Sequence, residues 1–574
     1  MKIITKRLLM LLFALSLLSG LHACSEKTDS MLGKVTNTVT NKAPSKEDAV
    51  NEIHQLVKNS IVPSYEENQY RANIQLTPTN LLAMLPELKE YPITLAAKDS
   101  DNVEAVEIFT SSEKAGTGND GLYLELAERF NQQGQTLSNG KKAAVAIRKI
   151  DSGVGAQFIM ARRYIPGGYA PSNELMGNLV NTNGHMLTLI AKSTAANTAG
   201  IIVKKAKLDQ ITTDGKLDIA KLLTNVSNGS FAMGYTNPYQ SATGLNFLLT
   251  ILEAFAKGDQ NQMLSPDVAS AFEAFQQGIP FVAQNTLQMR DAALGSGVLD
   301  AFIGEAQSWV NMTGMEDYQF IPFGIRHDNP IYATSGASKA EQEVLKQFAS
   351  FIASQSADLD KYGFGKNLDY KASYPVPDGT VISQAQKLWK QKKSGGKPIA
   401  AVFVADISGS MEEGNRLKNL KKALIESSDL ISSANAIGLV TYSDAVNVDV
   451  PIRPFNIQQK ALFNGAVAQL TSGGKTATYS ATLVAADLLM QFKQANPDYK
   501  TVIFVLSDGE TNVGIDFDTT KRLMGQVGIP IHTIAYELSS DALKEMANWA
   551  EGAYIESSAG SASYRIGNLL NAEM

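Results

Sequence analysis

The chain has 574 residues, 44% of them hydrophobic and 19% charged, with a formal net charge of −6. That length is more than one hydrophobic core fills, so several domains are expected. Lys and Arg number 51 against 57 Asp and Glu, so there is no basic excess to neutralise phosphates, and nucleic acid is excluded as an expected partner.

The N-terminus reads as a targeting segment. Lys2, Lys6 and Arg7 form a positive stretch, and residues 8–18 are an apolar run of about 11 residues, too short to span a bilayer. Leu21-His22-Ala23-Cys24 follows and holds the only cysteine of the chain. One thiol can make neither an internal disulfide nor a cysteine-based zinc site. The segment resembles a bacterial lipoprotein signal, in which the cysteine is acylated and becomes the mature N-terminus. His22 departs from the small or β-branched residue usual there. The resemblance implies removal of residues 1–23, lipidation (palmitate) at Cys24, and a place in the cell envelope. Ser25, after the cysteine, implies the outer membrane, facing the periplasm or surface, rather than the inner one. No later stretch reaches about 18 uninterrupted apolar residues, so acyl chains are the expected membrane anchor.

Residues 24–46 are rich in Ser, Thr, Asn and Lys and read as a flexible tether. A helix is predicted from Ser45, a capping residue followed by Glu47 and Asp48, with Val50, Ile53, Leu56 and Val57 on one apolar face. Residues 47–100 form a helical N-terminal segment to which the sequence assigns no role.

Residues 101–385 begin in a βαβ rhythm. A strand at 103–109 ends in Thr110-Ser111-Ser112-Glu113, a helix runs over 122–130, and a strand at 143–150 ends in Asp151-Ser152-Gly153 before another helix. Both hydroxyl-bearing turns and both helix N-termini then meet one sheet edge, which suits an anion or a hydroxyl-rich ligand. Farther on, Pro238-x-x-Ser241-x-x-Gly244 opens a long apolar helix. Together with Pro171-Ser172 and the stretch from Ile321 to Pro330, these segments resemble type II periplasmic solute-binding proteins. The resemblance implies a two-lobed α/β domain with a small solute or anion between the lobes. It points to Ser111, Ser112, Ser152, Ser172, Ser241 and Thr243 as ligand-binding candidates. Taken singly, each is better accounted for by turn and cap chemistry. Tyr239 is placed either to shape a cleft or simply to pack.

A Lys/Gly/Ser-rich linker is expected at 386–397, and 398–574 alternates strand and helix throughout. Its first strand, 400–405, is a continuous apolar run, as in a buried parallel strand, and ends in Asp406-x-Ser408-x-Ser410. A second run, 501–506, ends in Ser507-Asp508-Gly509. Between them lies Ser472-Gly473-Gly474-Lys475-Thr476-Ala477-Thr478-Tyr479. Carboxylates and hydroxyls past the carboxyl ends of parallel strands offer hard oxygens to one point, which suits Mg²⁺, Mn²⁺ or Ca²⁺. The three segments resemble the von Willebrand factor A (VWA) domain and its metal-ion-dependent adhesion site. The resemblance implies that Asp406, Ser408, Ser410, Thr476 and Asp508 hold Mg²⁺, with Ca²⁺ or Mn²⁺ as alternatives and Thr478 as the alternative to Thr476. It implies further that an acidic side chain of a partner protein completes the coordination. The expected fold class is thus α/β, a doubly wound VWA domain beside a two-lobed solute-binding-like domain.

Other chemistry finds no footing. Gly474-Lys475-Thr476 is not the end of a phosphate-binding loop, because Gln469 stands where that motif needs Gly. No Gly-x-Ser-x-Gly or His-Glu-x-x-His motif occurs. His54, His185, His327 and His532 have no ligand-spaced neighbours, and His532 reads as a core residue. Glu412-Glu413 reads as a solvated rim. The chain is expected to bind rather than catalyse, either as an envelope protein capturing an acidic partner through a metal, or as a receptor or transport accessory protein for a small solute.

Overall fold

The computed structural model describes residues 44–574, apart from 66, 75–80, 99, 183, 185, 297–298, 366–368, 510 and 559. The signal segment, Cys24 and the tether up to residue 43 lie outside the described residues, as does His185.

The C-terminal region folds around a six-stranded sheet. Its strand order is Val446–Pro454, Ala436–Tyr442, Ile399–Asp406, Lys500–Ser507, Ile531–Tyr536, Tyr554–Ser557. All neighbours are parallel except Val446–Pro454, which runs antiparallel at the edge as its alternating pattern predicts. In chain order this is 3-2-1-4-5-6, so the winding reverses between Ile399–Asp406 and Lys500–Ser507, and a crevice opens past their carboxyl ends. Every residue of Ile399–Asp406 is buried because helices cover both faces. Ala400, Val402 and Val404 face a core that includes Leu483 and Leu489 of the helix Thr478–Ala495. Ala401 and Phe403 face the opposite core, which includes Leu420 and Leu424 of Arg416–Ser428 and Leu569 of Ala562–Glu573.

The middle region forms two lobes. The first has a six-stranded sheet ordered Ile93–Leu95, Lys142–Lys149, Val103–Thr110, Gly168–Ala170, Ile331–Thr334, Leu187–Ala191. The second has a five-stranded sheet ordered Phe281–Ala283, Met233–Thr236, Ala301–Glu305, Thr198–Lys204, Tyr318–Arg326. The chain passes between lobes at 192–197 and at 327–330. These crossings are tied by His327 N–H to the Asn197 carbonyl (3.0 Å) and Thr194 N–H to the Asp328 carbonyl (3.0 Å). The two-lobed α/β architecture agrees with the fold class expected from the sequence.

The N-terminal segment has a structural place that the sequence did not disclose. Ser45 caps the helix Lys46–Leu56, accepting from Asp48 N–H (3.1 Å). The buried Ala49, Ile53 and Val57 belong to one face of the C-terminal core, whose first strand residue, Ala400, lies far along the sequence. His54 meets Asp487 at 3.1 Å, and Arg522 pairs with Glu52. The chain then runs along the exposed edge of the sheet, where Val448 N–H donates to the Ser64 carbonyl (2.8 Å) and Ser64 N–H to the Val446 carbonyl (2.9 Å). Covering an unpaired edge in this way removes a template for aggregation. Gly465 allows the approach, since a Cβ there would lie 2.2 Å from the Tyr70 carbonyl oxygen.

The stretch expected as a linker carries the end of a helix instead. Gly379–Lys392 is capped by Asp378, whose carboxylate accepts from Thr380 and Val381 N–H. Trp389 is fully buried, its Nε1–H donating to the Tyr235 hydroxyl (2.6 Å) in the second lobe. Lys392 pairs with Glu273 at 2.5 Å. No helix among the described residues is long and apolar enough to cross a membrane.

If Lys46–Leu56 is part of the C-terminal core, Ile53→Ala leaves a cavity there. A loss of about 2–5 kcal/mol is expected in urea denaturation of the full chain. A loss under about 0.5 kcal/mol, the level of an ordinary surface change, would show the helix to be peripheral.

Candidate functional site

At the switch point of the C-terminal sheet, strand register decides what meets. Ala405 pairs with Leu506, so Asp406 and Ser507 leave adjacent strands together. The Asp406 carboxylate is fully buried. Its Oδ1 accepts from Ser408 N–H (2.8 Å), and its Oδ2 from the Ser507 hydroxyl (2.6 Å) and the Tyr442 hydroxyl (3.3 Å). Burial pushes Asp406 above the usual carboxylate range, and the bonds from Ser408 and Ser507 oppose that rise.

The hydroxyls continue the chain of oxygens. Ser408 Oγ lies 3.1 Å from Ser410 Oγ, which donates to Asp508 Oδ1 at 2.8 Å. Asp406, Ser408, Ser410 and Asp508 therefore converge. The glycine turn that precedes Thr476 lies against the same loop. Gly409 N–H donates to the Gly474 carbonyl (3.0 Å) and Gly473 N–H to the Ile407 carbonyl (2.8 Å), so the glycine turn is laced to the Asp-x-Ser-x-Ser loop. Gly474 has φ +82°, and a Cβ there would sit 2.1 Å from Asp444 Oδ2, so this position accepts only glycine. Thr476 is buried and held by Asn512, which accepts from its N–H (2.9 Å). Thr478, also buried, opens the helix Thr478–Ala495.

The residues that sequence reasoning missed surround these donors. Ser507 and Tyr442 bond the Asp406 carboxylate. Arg416, the first residue of its helix, places Nη1 3.0 Å from Asp508 Oδ2 and Nε 3.4 Å from Glu537 Oε2. Asp508 is buried, so this pair is shielded from water on the carboxylate side. Only the Ser of Ser507-Asp508-Gly509 carried a local signal, through its adjacency to the strand end. Glu413 stands at the exposed rim, 3.5 Å from Arg416. Two carboxylates with neighbouring hydroxyls make a hard donor set that could hold a small divalent cation. Among the described residues there is no cluster of three or more His, Cys, Asp or Glu side chains placed for a metal, so this mixed set is the candidate.

The middle-domain candidates lie at the facing strand ends of the two lobes, and Ser112, Ser152, Ser241 and Thr243 are engaged internally. Ser112 Oγ donates to Asp151 Oδ1 (3.2 Å). Ser152 Oγ accepts from Ser172 N–H (3.3 Å). Ser241 caps the helix Ala242–Phe255, accepting from Gly244 N–H (3.2 Å) and from the Thr236 hydroxyl (2.8 Å). Thr243 donates to Glu305 Oε1 (3.0 Å). Ser111 Oγ is buried without a hydrogen-bond partner. Tyr239 packs on Trp389, with ring centroids 6.0 Å apart. His532 is a core residue whose Nδ1 accepts from Ala553 N–H (2.9 Å).

Around them lies a buried ionic cluster that the sequence did not flag. Glu305 Oε1 meets His327 Nδ1 at 2.9 Å, and Lys114 Nζ donates to Asn329 Oδ1 at 2.7 Å. Glu113 accepts from the Thr286 hydroxyl. Burial, with the charges of Glu305 and Asp151, pushes Glu113 up to about 7. Burial pulls Lys114 down to about 8, against the pull of Glu305 and Glu113.

With this geometry in view, comparison with known proteins becomes informative. Residues 401–563 match the family model of the von Willebrand factor type A domain. No curated protein matches the chain. A solved von Willebrand factor type A structure from Catenulispora acidiphila is similar at 16% identity, covering 31% of this chain and 43% of that one, with a TM-score of 0.28. A periplasmic thiamin binding protein is similar at 11% identity over 52% of this chain and 99% of its own, with a TM-score of 0.39. The sulfate-binding protein SubI from Mycobacterium tuberculosis H37Rv is similar at 12% identity over 50% and 91%, with a TM-score of 0.34. The chain thus spans less than half of the first of these structures.

Two outcomes follow. Glu113 holds its proton more tightly folded than unfolded, so its contribution to stability is present below about pH 4.5 and is lost as pH rises toward 7. Glu113→Gln removes that dependence. Relative to the native chain it should gain on the order of 2 kcal/mol between pH 5 and pH 7.5, read by urea denaturation; parallel curves would contradict the burial argument. Arg416→Gln strips the buried Asp508 of its cation. In chelator it should cost about 3 kcal/mol, where an exposed pair would cost under about 1 kcal/mol.

Proposed function

We propose that this protein is an envelope-anchored binding protein that captures an acidic protein partner through a divalent cation held in its VWA domain. The observation carrying this reading is the run of oxygen donors at the sheet's switch point, Asp406, Ser408, Ser410 and Asp508, with Thr476 on the laced glycine turn. Mg²⁺ fits this hard oxygen set best, with Mn²⁺ and Ca²⁺ as alternatives. Such a cation, when bound, supplies a Lewis-acidic position that exchanges a water for a partner's carboxylate. The carboxylates of Asp406 and Asp508 supply the charge, and the hydroxyls of Ser408, Ser410 and Thr476 fill positions without neutralising the ion. A negatively charged partner side chain is then favoured over a neutral one. The protein's residues act as ligands, and no acid, base or nucleophile is called on. Lipidation at Cys24 with a tether to residue 46 holds the protein at the outer membrane.

Titration calorimetry of the full chain with Mg²⁺ tests the reading, followed by binding of a glutamate-bearing peptide in Mg²⁺ and in chelator. Saturable Mg²⁺ uptake, lost in Asp406→Ala, and peptide binding seen only with Mg²⁺ are expected. Equal isotherms for the native chain and Asp406→Ala would sink it.

A further inference from the structure

The facing strand ends of a two-lobed α/β domain form a ligand cleft only while their polar groups stay free for a ligand. Here Ser112, Ser152, Ser241 and Thr243 are bonded within the chain, while Ser111 Oγ and Gln284 Nε2 are buried without a hydrogen-bond partner. At the end of the strand Ala301–Glu305, the buried Glu305 carboxylate accepts from Asn197 Nδ2 (2.8 Å), Thr243 Oγ1 (3.0 Å) and His327 Nδ1 (2.9 Å). The proton on His327 is fixed by its other neighbours. The Asn246 amide exchanges two hydrogen bonds with the Ile325 backbone, at 2.9 Å each, which leaves its Nδ2 pointing at His327 Nε2 (3.1 Å). Nε2 is therefore the acceptor, and Nδ1–H donates to Glu305. Three donors, one from a helix N-terminus and two from the crossings between lobes, are thus spent on a resident carboxylate.

The lobes are also in direct contact across the cleft. Gly153 N–H, at the start of the helix Ser152–Met160, donates to the Gln240 carbonyl (2.8 Å), and Asn285 Nδ2 donates to Asp151 Oδ2 (3.1 Å). A Cβ at Gly153 would lie 2.1 Å from the Tyr239 carbonyl oxygen, so the two backbones touch with no gap for a solute. Surface hollows of about 510 and 270 Å³ lie elsewhere, the first beside Gln347 and Phe351 and the second beside Asp291 and Lys544. The VWA domain grips both lobes. The Tyr564 hydroxyl donates to Gln157 Oε1 (2.9 Å) in the first, while the Tyr554 carbonyl accepts from Gln288 Nε2 (3.1 Å) in the second.

We propose that the two-lobed domain is a self-liganded pedestal: the Glu305 carboxylate takes the donors at the lobe junction, and the backbone contact at Gly153 holds the lobes together. The inference is independent of the metal reading, since no residue of the cation site takes part.

The test uses the full chain and two variants. Glu305→Ala should lower the melting temperature by several degrees. Formate or acetate should restore it by entering the vacated place, while the native chain responds to neither, nor to sulfate or phosphate. Gly153→Ala covers the case in which Glu305→Ala does not fold. If the backbone contact at Gly153 holds the lobes together, the added methyl wedges them apart, lowering the melting temperature and raising the radius of gyration in solution scattering. A saturable rise of the native melting temperature with sulfate or phosphate would overturn the proposal. So would a Gly153→Ala chain as stable and compact as the native one, or a folded Glu305→Ala chain indifferent to formate and acetate.

Discussion

A carboxylate buried at the end of a central strand is the constraint on which the C-terminal domain turns. An ionised group taken out of water costs several kcal/mol unless hydrogen bonds replace its hydration. Asp406 is supplied by Ser507 from the neighbouring strand, by Tyr442 from the strand on the other side, and by the backbone of its own loop. Those bonds require the strand order seen, in which Ile399–Asp406 lies between Ala436–Tyr442 and Lys500–Ser507. The same order brings Asp508 and Ser410 into contact, and the glycine turn before Thr476 is tied to the loop by backbone bonds from Gly409 and Gly473, while Gly474 leaves room for Asp444. Any shift in register would leave the Asp406 charge without support, so sheet geometry and site geometry stabilise each other.

The two polar centres differ in how near they lie to the surface. In the C-terminal loop, Ser408 and Ser410 share a hydroxyl contact, and Arg416 borders the Asp508 carboxylate from the rim with its side chain 15% exposed. Between the lobes, the Glu305 carboxylate and both His327 ring nitrogens are engaged within a wall of buried neighbours. Saturated networks in low dielectric rigidify the structure around them.

Much of this was legible along the chain because the signals are local. The apolar run ending in Asp406, the alternating edge strand from Val446, the Ser45 cap and the hydroxyl turns at 110–112 and 151–153 each depend on neighbours in sequence. What escaped depends on distant partners. The apolar face of Ala49, Ile53 and Val57 is a plain amphipathic signal, but nothing in it says that the C-terminal core is its destination. Arg416 reads as one more cation on a solvated helix until the fold sets Asp508 beside it. Glu305 follows an ordinary apolar strand, and its donors come from residues 197, 243 and 327. The misread linker is a different case. Lysine and glycine suggested mobility, yet Ile382, Ala385 and Trp389 recur at helical spacing, and that periodicity outweighs composition.

The docking of Lys46–Leu56 on the C-terminal sheet has a mechanical consequence. Tension entering the described chain at Pro44 meets the Arg522–Glu52 pair, the buried Ile53 and the ladder to Val446–Pro454 before any other element. Bonds of such a ladder pulled along its length share the load and yield together, whereas those pulled from one end part in succession. A pull between the N-terminal segment and the Asp406 loop therefore runs through a single sheet, and the two lobes stand outside the line of force.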